Sequence, residues 1–182
     1  MTVRVLIVDD EALVRVALRE VLSTGDDVET IGEAEDGEAA VRVAERLRPQ
    51  VVLMDIRMPR LNGIVATARI AALDEPTPRV LLLTTYDLDE YVYDGLCAGA
   101  SGFLLKDSPP TMLLHAVAVV ARGESVLAPT VTTRLVETFR ARFPDVFGFE
   151  KNRAILLDPA APLAQTELSI CLRMALIYHK RR

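Results

Sequence analysis

The sequence predicts an α/β protein: a doubly wound, five-stranded parallel sheet with a short, mainly helical C-terminal extension. Three observations predict it. Apolar runs of strand length recur at Val3–Val8, Thr30–Ala34, Val51–Met54, Val80–Thr84 and Gly102–Leu105, as expected where helices cover both faces of a sheet. Segments of helical period lie between these runs, and right-handed crossovers put such helices on the two faces. Three runs also end on charge, at Asp9-Asp10, Asp55 and Lys106. Ligand sites of open parallel sheets lie outside the carboxyl ends of the strands, so these groups should converge at one edge.

The helical segments follow in order. Glu11–Ser23 carries Leu13, Val16, Ala17, Leu18, Val21 and Leu22 as an apolar stripe. Gly37–Leu47 and Asn62–Leu73 come next. Leu88–Ala98 ends at Gly99, a residue that tolerates a left-handed turn. Pro109–Arg122 has proline in its first turn after a candidate Ser108 cap. Past Gly123 the pattern changes. Residues 123–142 read as a linker with a helix from about Thr130 to Arg142, where Val131, Leu135 and Phe139 recur every four residues. Residues 143–164 read as an irregular segment, and a final helix should run from about Thr166 to His179.

The chain of 182 residues, 51% hydrophobic and 26% charged, can build one core of ordinary size plus an appendage. No apolar stretch approaches the ~18 residues needed to cross a membrane, and the start lacks a secretory pattern. Cys97 and Cys171 have no metal-ligand spacing. A cytoplasmic protein with reduced thiols is expected. Residues 1–122 hold 12 basic and 20 acidic side chains, and residues 123–182 hold 9 and 6. The acidic part suits a cation and argues against nucleic acid there. The basic excess behind it permits a DNA contact without establishing one.

Three carboxylates and an ammonium at strand ends suit a divalent cation together with a phosphoryl group. Taken singly, each residue has an ordinary rival role. Asp9-Asp10 could cap the next helix, Asp55 could start a turn before Pro59, and Lys106 could be a solvated lysine. Together with Met54-Asp55-Ile56-Arg57-Met58-Pro59, Asn62-Gly63, Thr84-Thr85 and the Gly99–Asp107 run, they resemble the receiver domain of bacterial two-component response regulators. The resemblance covers residues 3–122 and is nearest the NarL/FixJ (LuxR-type) subgroup. It implies the flavodoxin-like receiver fold, with Asp55 as phosphoacceptor and Mg²⁺ as cofactor. The metal would be held by Asp9, Asp10, Asp55 and the Arg57 backbone carbonyl. Lys106 and Thr84 would bind phosphoryl oxygens, and Phe103 would be the aromatic switch residue.

The resemblance further implies a sensor histidine kinase as partner, self-association on phosphorylation, and no turnover beyond self-phosphorylation and self-dephosphorylation. Arg57 and Tyr86, two residues beyond Asp55 and Thr84, are expected at the mouth of the site, where they would slow attack by water. Relatives in this subgroup continue into a helix-turn-helix domain of about 65 residues. No complete domain of that kind is recognisable in 143–182, which reads as truncated or replaced. The main expectation is a phosphorylation switch controlling a protein contact or transcription. A DNA-binding regulator acting through the C-terminal region is the alternative. A haloacid-type phosphatase would need an acid where Arg57 stands.

Overall fold

The computed structural model describes residues 2–85, 91–127, 137, 147–150 and 154–157. The chain divides into two compact units, Met1–Leu127 and Ala128–Arg182. In the first, strands and helices alternate: β1 (Val3–Val8), α1 (Ala12–Ser23), β2 (Val28–Ala34), α2 (Gly37–Leu47), β3 (Val51–Asp55), α3 (Gly63–Ala71), β4 (Arg79–Thr84), α4 (Tyr91–Cys97), β5 (Gly102–Leu105) and α5 (Pro110–Ala121). A sixth strand, β6 (Val126–Leu127), follows. The sheet is parallel, in the order β2-β1-β3-β4-β5-β6. The five predicted strands are present, and β6 is an addition. Two residues offer too little apolar periodicity to announce a strand, and pairing with β5 is what makes it one.

The central strands are buried because both faces are covered: Val5–Val8, Val51–Met54 and Val80–Leu83 are at most 1% exposed. On one face they meet Leu22 of α1 and Leu113, Ala116, Val117 and Val120 of α5. Burying a side chain of this size contributes roughly 1.5–3 kcal/mol. This rigid slab fixes where the strands end, and so where the charged residues after them stand.

Three local expectations need correction. The apolar stripe of α1 is out of phase. Leu13 is 84% exposed, Val16 is also exposed, and Leu18, Val21 and Leu22 face the core. Apolar residues ring this helix, so spacing alone leaves its inner face ambiguous. Secondly, Ser108 does not cap α5; Pro109 holds the cap position without a side-chain bond. Thirdly, residues 143–164 are not wholly irregular. They contain β7 (Phe147–Glu150) and β8 (Ala154–Leu157), paired antiparallel. Gly99, with φ of 96°, follows α4 as expected. The helices foreseen at 130–142 and 166–179 lie outside the described residues, apart from Glu137, which is helical.

Candidate functional site

Four adjacent strands deliver the site. Asp9 and Asp10 directly follow β1, Asp55 ends β3, Thr84 ends β4, and Lys106 follows β5. Because β1, β3, β4 and β5 are neighbours, residues nearly a hundred positions apart meet at one edge. Lys106 Nζ lies 2.7 Å from Asp9 Oδ2 and 3.0 Å from Asp55 Oδ1. Carboxylate oxygens of Asp9, Asp10 and Asp55 all fall within 4.8 Å of one another. Asp9 and Asp55 are buried, while Asp10 is exposed. A cleft of about 150 Å³ opens above them, lined by Asp10, Asp55, Arg57, Thr84 and Lys106 among others.

Burial raises the pKa of Asp55. The Lys106 charge opposes this shift and the nearby Asp9 charge adds to it. Burial also disfavours the charged Lys106, but contact with Asp9 and the Asp55 charge overcome it, so its pKa is raised. One ammonium thus faces three carboxylates, a local excess of negative charge that a divalent cation would offset.

The donor set fits Mg²⁺. Asp9 is not used up as a helix cap: its Oδ1 accepts from the Glu11 amide at 3.0 Å, while the α1 cap position is Glu11, with no side-chain bond. Buried Asp9 Oδ2 has the Lys106 ion pair at 2.7 Å but no well-directed hydrogen bond among the described residues. An acceptor of that kind retains lone-pair capacity for a cation. Hard oxygen ligands, few in number and open to a water-sized space, are what Mg²⁺ selects.

Thr84 is buried, and its hydroxyl donates to the Thr85 carbonyl oxygen at 3.1 Å. Exposed Arg57 lies on the cleft wall, and its Nη2 donates to Thr85 Oγ1 at 2.9 Å, spanning the mouth. Phe103 is fully buried beneath α4, packed against Gly95. It lies behind the cleft and does not line it. Tyr86 lies outside the described residues. Sequence reasoning missed Thr85 as the partner of Arg57. It also missed Arg15, whose Nη1 donates to the Asp9 carbonyl at 2.8 Å and whose Nε meets Glu33 Oε2 at 3.2 Å. Both are contacts between separate elements, without a spacing signal along the chain.

The model of the response regulator receiver domain matches residues 5–118. The uncharacterized transcriptional regulatory protein YxjL of Bacillus subtilis is 38% identical over 175 residues, 95% of this chain and 75% of that one. The transcriptional regulatory protein YdfI of Bacillus subtilis is 41% identical over 134 residues, covering 74% of this chain and 62% of its own length. This chain therefore spans less than two thirds of YdfI. Among solved structures, the signal receiver domain of NarL from Mycobacterium tuberculosis superposes with a TM-score of 0.63 at 40% identity, over 68% of this chain and 98% of that one. Fold, clustered acids and relatives agree: the chain belongs to the response regulator receiver family of two-component systems, among regulators of the LuxR/NarL type.

Proposed function

We propose that Asp55 accepts a phosphoryl group from a phosphohistidine of a sensor kinase, assisted by Mg²⁺. The observation that carries this reading is Lys106 Nζ, held between Asp9 and Asp55 at the floor of an open cleft. An Asp55 oxygen attacks phosphorus, a P–O bond forms as the P–N bond breaks, and the imidazole leaves with the bonding pair and is protonated. Asp9, Asp10, Asp55 and the Arg57 carbonyl would hold the metal. When bound, Mg²⁺ supplies positive charge to the incoming dianion. Lys106 exchanges one carboxylate contact for a phosphoryl oxygen.

Phosphorylation adds roughly −1.5 to −2 charges and several acceptors. The Thr84 hydroxyl, now on the Thr85 carbonyl, would turn to a phosphoryl oxygen. The displaced contact would reach Phe103 and the α4–β5–α5 face, where self-association would follow. Arg57 and Tyr86 would shield the acyl phosphate from water.

Incubation of the whole chain with Mg²⁺ and a small phosphodonor, followed by intact mass, tests this. A gain of one phosphoryl group that requires Mg²⁺ and is lost in Asp55→Asn is expected. Phosphorylation persisting in that variant rejects Asp55 as acceptor.

A second reading, control of transcription through bound DNA, has its own support. YdfI is described as a transcriptional regulatory protein and YxjL as an uncharacterized one, and the YxjL match extends into residues 123–182, since it takes in 95% of the chain. Sequence-specific binding at roughly 10⁻⁸ M or tighter would support it. Only salt-sensitive, non-specific binding would leave a protein contact as the output.

A further inference from the structure

We propose that Arg60 is a positioning residue for the metal site, setting the Arg57 bank of the cleft through its ion pair with Asp36; this rests on the metal reading above. The loop between β3 and α3 carries Arg57, whose carbonyl is assigned to the cation. Its shape is fixed from within. The Gly63 amide donates to the Ile56 carbonyl at 2.9 Å and the Leu61 amide to the Pro59 carbonyl at 2.8 Å. Asn62 caps α3 by accepting from the Val65 amide at 2.9 Å. None of these bonds ties the loop to Asp9 and Asp10, which follow a different strand, β1.

The pairing of β1 with β3, Val8 beside Met54, sets where the loop starts, and the far part of the loop is tied down from the end of β2. Arg60 sits in the left-handed region, with φ of 64°, a conformation that L side chains adopt at a cost. From there its Nε meets Asp36 Oδ2 at 2.6 Å, its Nη2 meets the same oxygen, and Nη2 also meets Glu35 Oε1 at 3.2 Å. Asp36 is itself anchored: it is 3% exposed, and its Oδ1 caps α2 by accepting from the Ala39 amide at 2.8 Å. A second tie lies beside the first. The Gly37 amide donates to the Leu61 carbonyl at 3.1 Å, and a Cβ at Gly37 would collide with that oxygen.

The other bank is fastened to the same strand. Glu33 of β2 holds Arg15, which donates to the backbone carbonyls of Asp9 at 2.8 Å and Asp10 at 3.4 Å. Acids at the end of one strand therefore hold two arginines, one for each bank of the cleft. Arg60 is half-exposed and screened by water although Asp36 is buried, so as an ion pair the contact contributes modestly to stability. A clamp that sets the distance between ligand-bearing loops acts on the metal instead, because outer partners orient inner ligands.

The test is a Mg²⁺ titration of the whole chain, followed by amide chemical shifts at Asp9, Asp10, Asp55 and Arg57. It compares the parent with Arg60→Gly, Arg60→Lys and Arg4→Gln. Glycine accepts the left-handed backbone, so Arg60→Gly removes the clamp without adding strain. Arg4 is an arginine held elsewhere, on the backbone carbonyls of Leu47 and Arg48, and serves as control. We expect the Kd of Arg60→Gly to rise about tenfold, partial recovery in Arg60→Lys, no change in Arg4→Gln and little change in Tm. A parent that binds Mg²⁺ and an Arg60→Gly chain with the same Kd overturn the inference, whatever happens to Tm. A parent that shows no Mg²⁺-dependent shifts at these amides overturns the metal reading itself.

Discussion

Lys106 Nζ stands 3.0 Å from Asp55 Oδ1, so the residue read as acceptor is already half of an ion pair. Burial nonetheless holds the Asp55 carboxyl above its ordinary pKa. The ammonium compensates the buried charge only in part.

A pH dependence follows. A folded-state pKa above the unfolded value means a contribution to stability that is fully present below the unfolded pKa, near 3.8. It is lost as pH rises through the folded value. Above that folded value the ionised Asp55 is thus a burden that Asp55→Asn removes. We expect Asp55→Asn to melt a few degrees higher than the parent at pH 7 in the absence of metal. The gap should close as the pH approaches 4. A variant no more stable than the parent at pH 7 contradicts this reading.

Lys106→Met should act in the opposite direction. Asp9 and Asp55 would lose the cation they share, and removing one partner of a buried pair costs about 3–5 kcal/mol. Lys106 keeps 16% of its side-chain exposure, which places the expected loss lower, at about 2 kcal/mol. Urea unfolding with and without Mg²⁺ measures it. The metal should restore more stability to Lys106→Met than it adds to the parent, because binding stabilises by mass action. Equal gains would show that the ammonium and the metal do not answer the same charge.

The bridge from Arg57 to Thr85 Oγ1 at 2.9 Å gives the lifetime proposal a second handle. If the bridge screens the acyl phosphate, Thr85→Val should speed hydrolysis as Arg57→Ala does, by about 3-fold to 10-fold, equivalent to about 0.6–1.4 kcal/mol in the barrier. Tyr86→Ala tests the second residue proposed to shield the acyl phosphate. Phosphate loss measured by intact mass decides the matter, and unchanged rates in both bridge variants would remove the shielding role.

Gly95 fixes how deeply Phe103 can sit. A Cβ on Gly95 would lie 2.5 Å from the ring Cζ and 2.6 Å from Leu82. Gly95→Ala must move the ring or the helix, at about 1–3 kcal/mol. If Phe103 takes part in the switch, the variant should also change how self-association responds to phosphodonor, as read by sedimentation. A stability loss with unaltered association would confine Phe103 to the core.

Much of this was legible in the chain because parallel strands buried on both faces cannot disguise their apolar runs. Asp9, Asp10, Asp55 and Lys106 each directly follow or end such a run, so their meeting followed from topology alone. Less visible features depend on what touches a residue. The inner face of α1 was misread because Leu13 and Val16 are as apolar as Leu18 and Val21, and only packing against β1 and α5 separates them. The β7–β8 pairing was hidden although Phe147 and Phe149 alternate with Gly148 and Glu150, since four residues of period two are weak beside prolines and aspartates. Arg60 carries no signal in the sequence, because its meaning lies in Asp36, 24 residues earlier.

The two-residue strand at the edge of the sheet has a bearing on signalling. Leu127 is in register with Phe103, and Val126 with Gly102. The backbone leaving the receiver domain is therefore laced to the strand that bears the aromatic ring. If the switch moved that strand, it would pull on the outgoing chain directly, as a rein follows the hand, with no diffusing messenger in between.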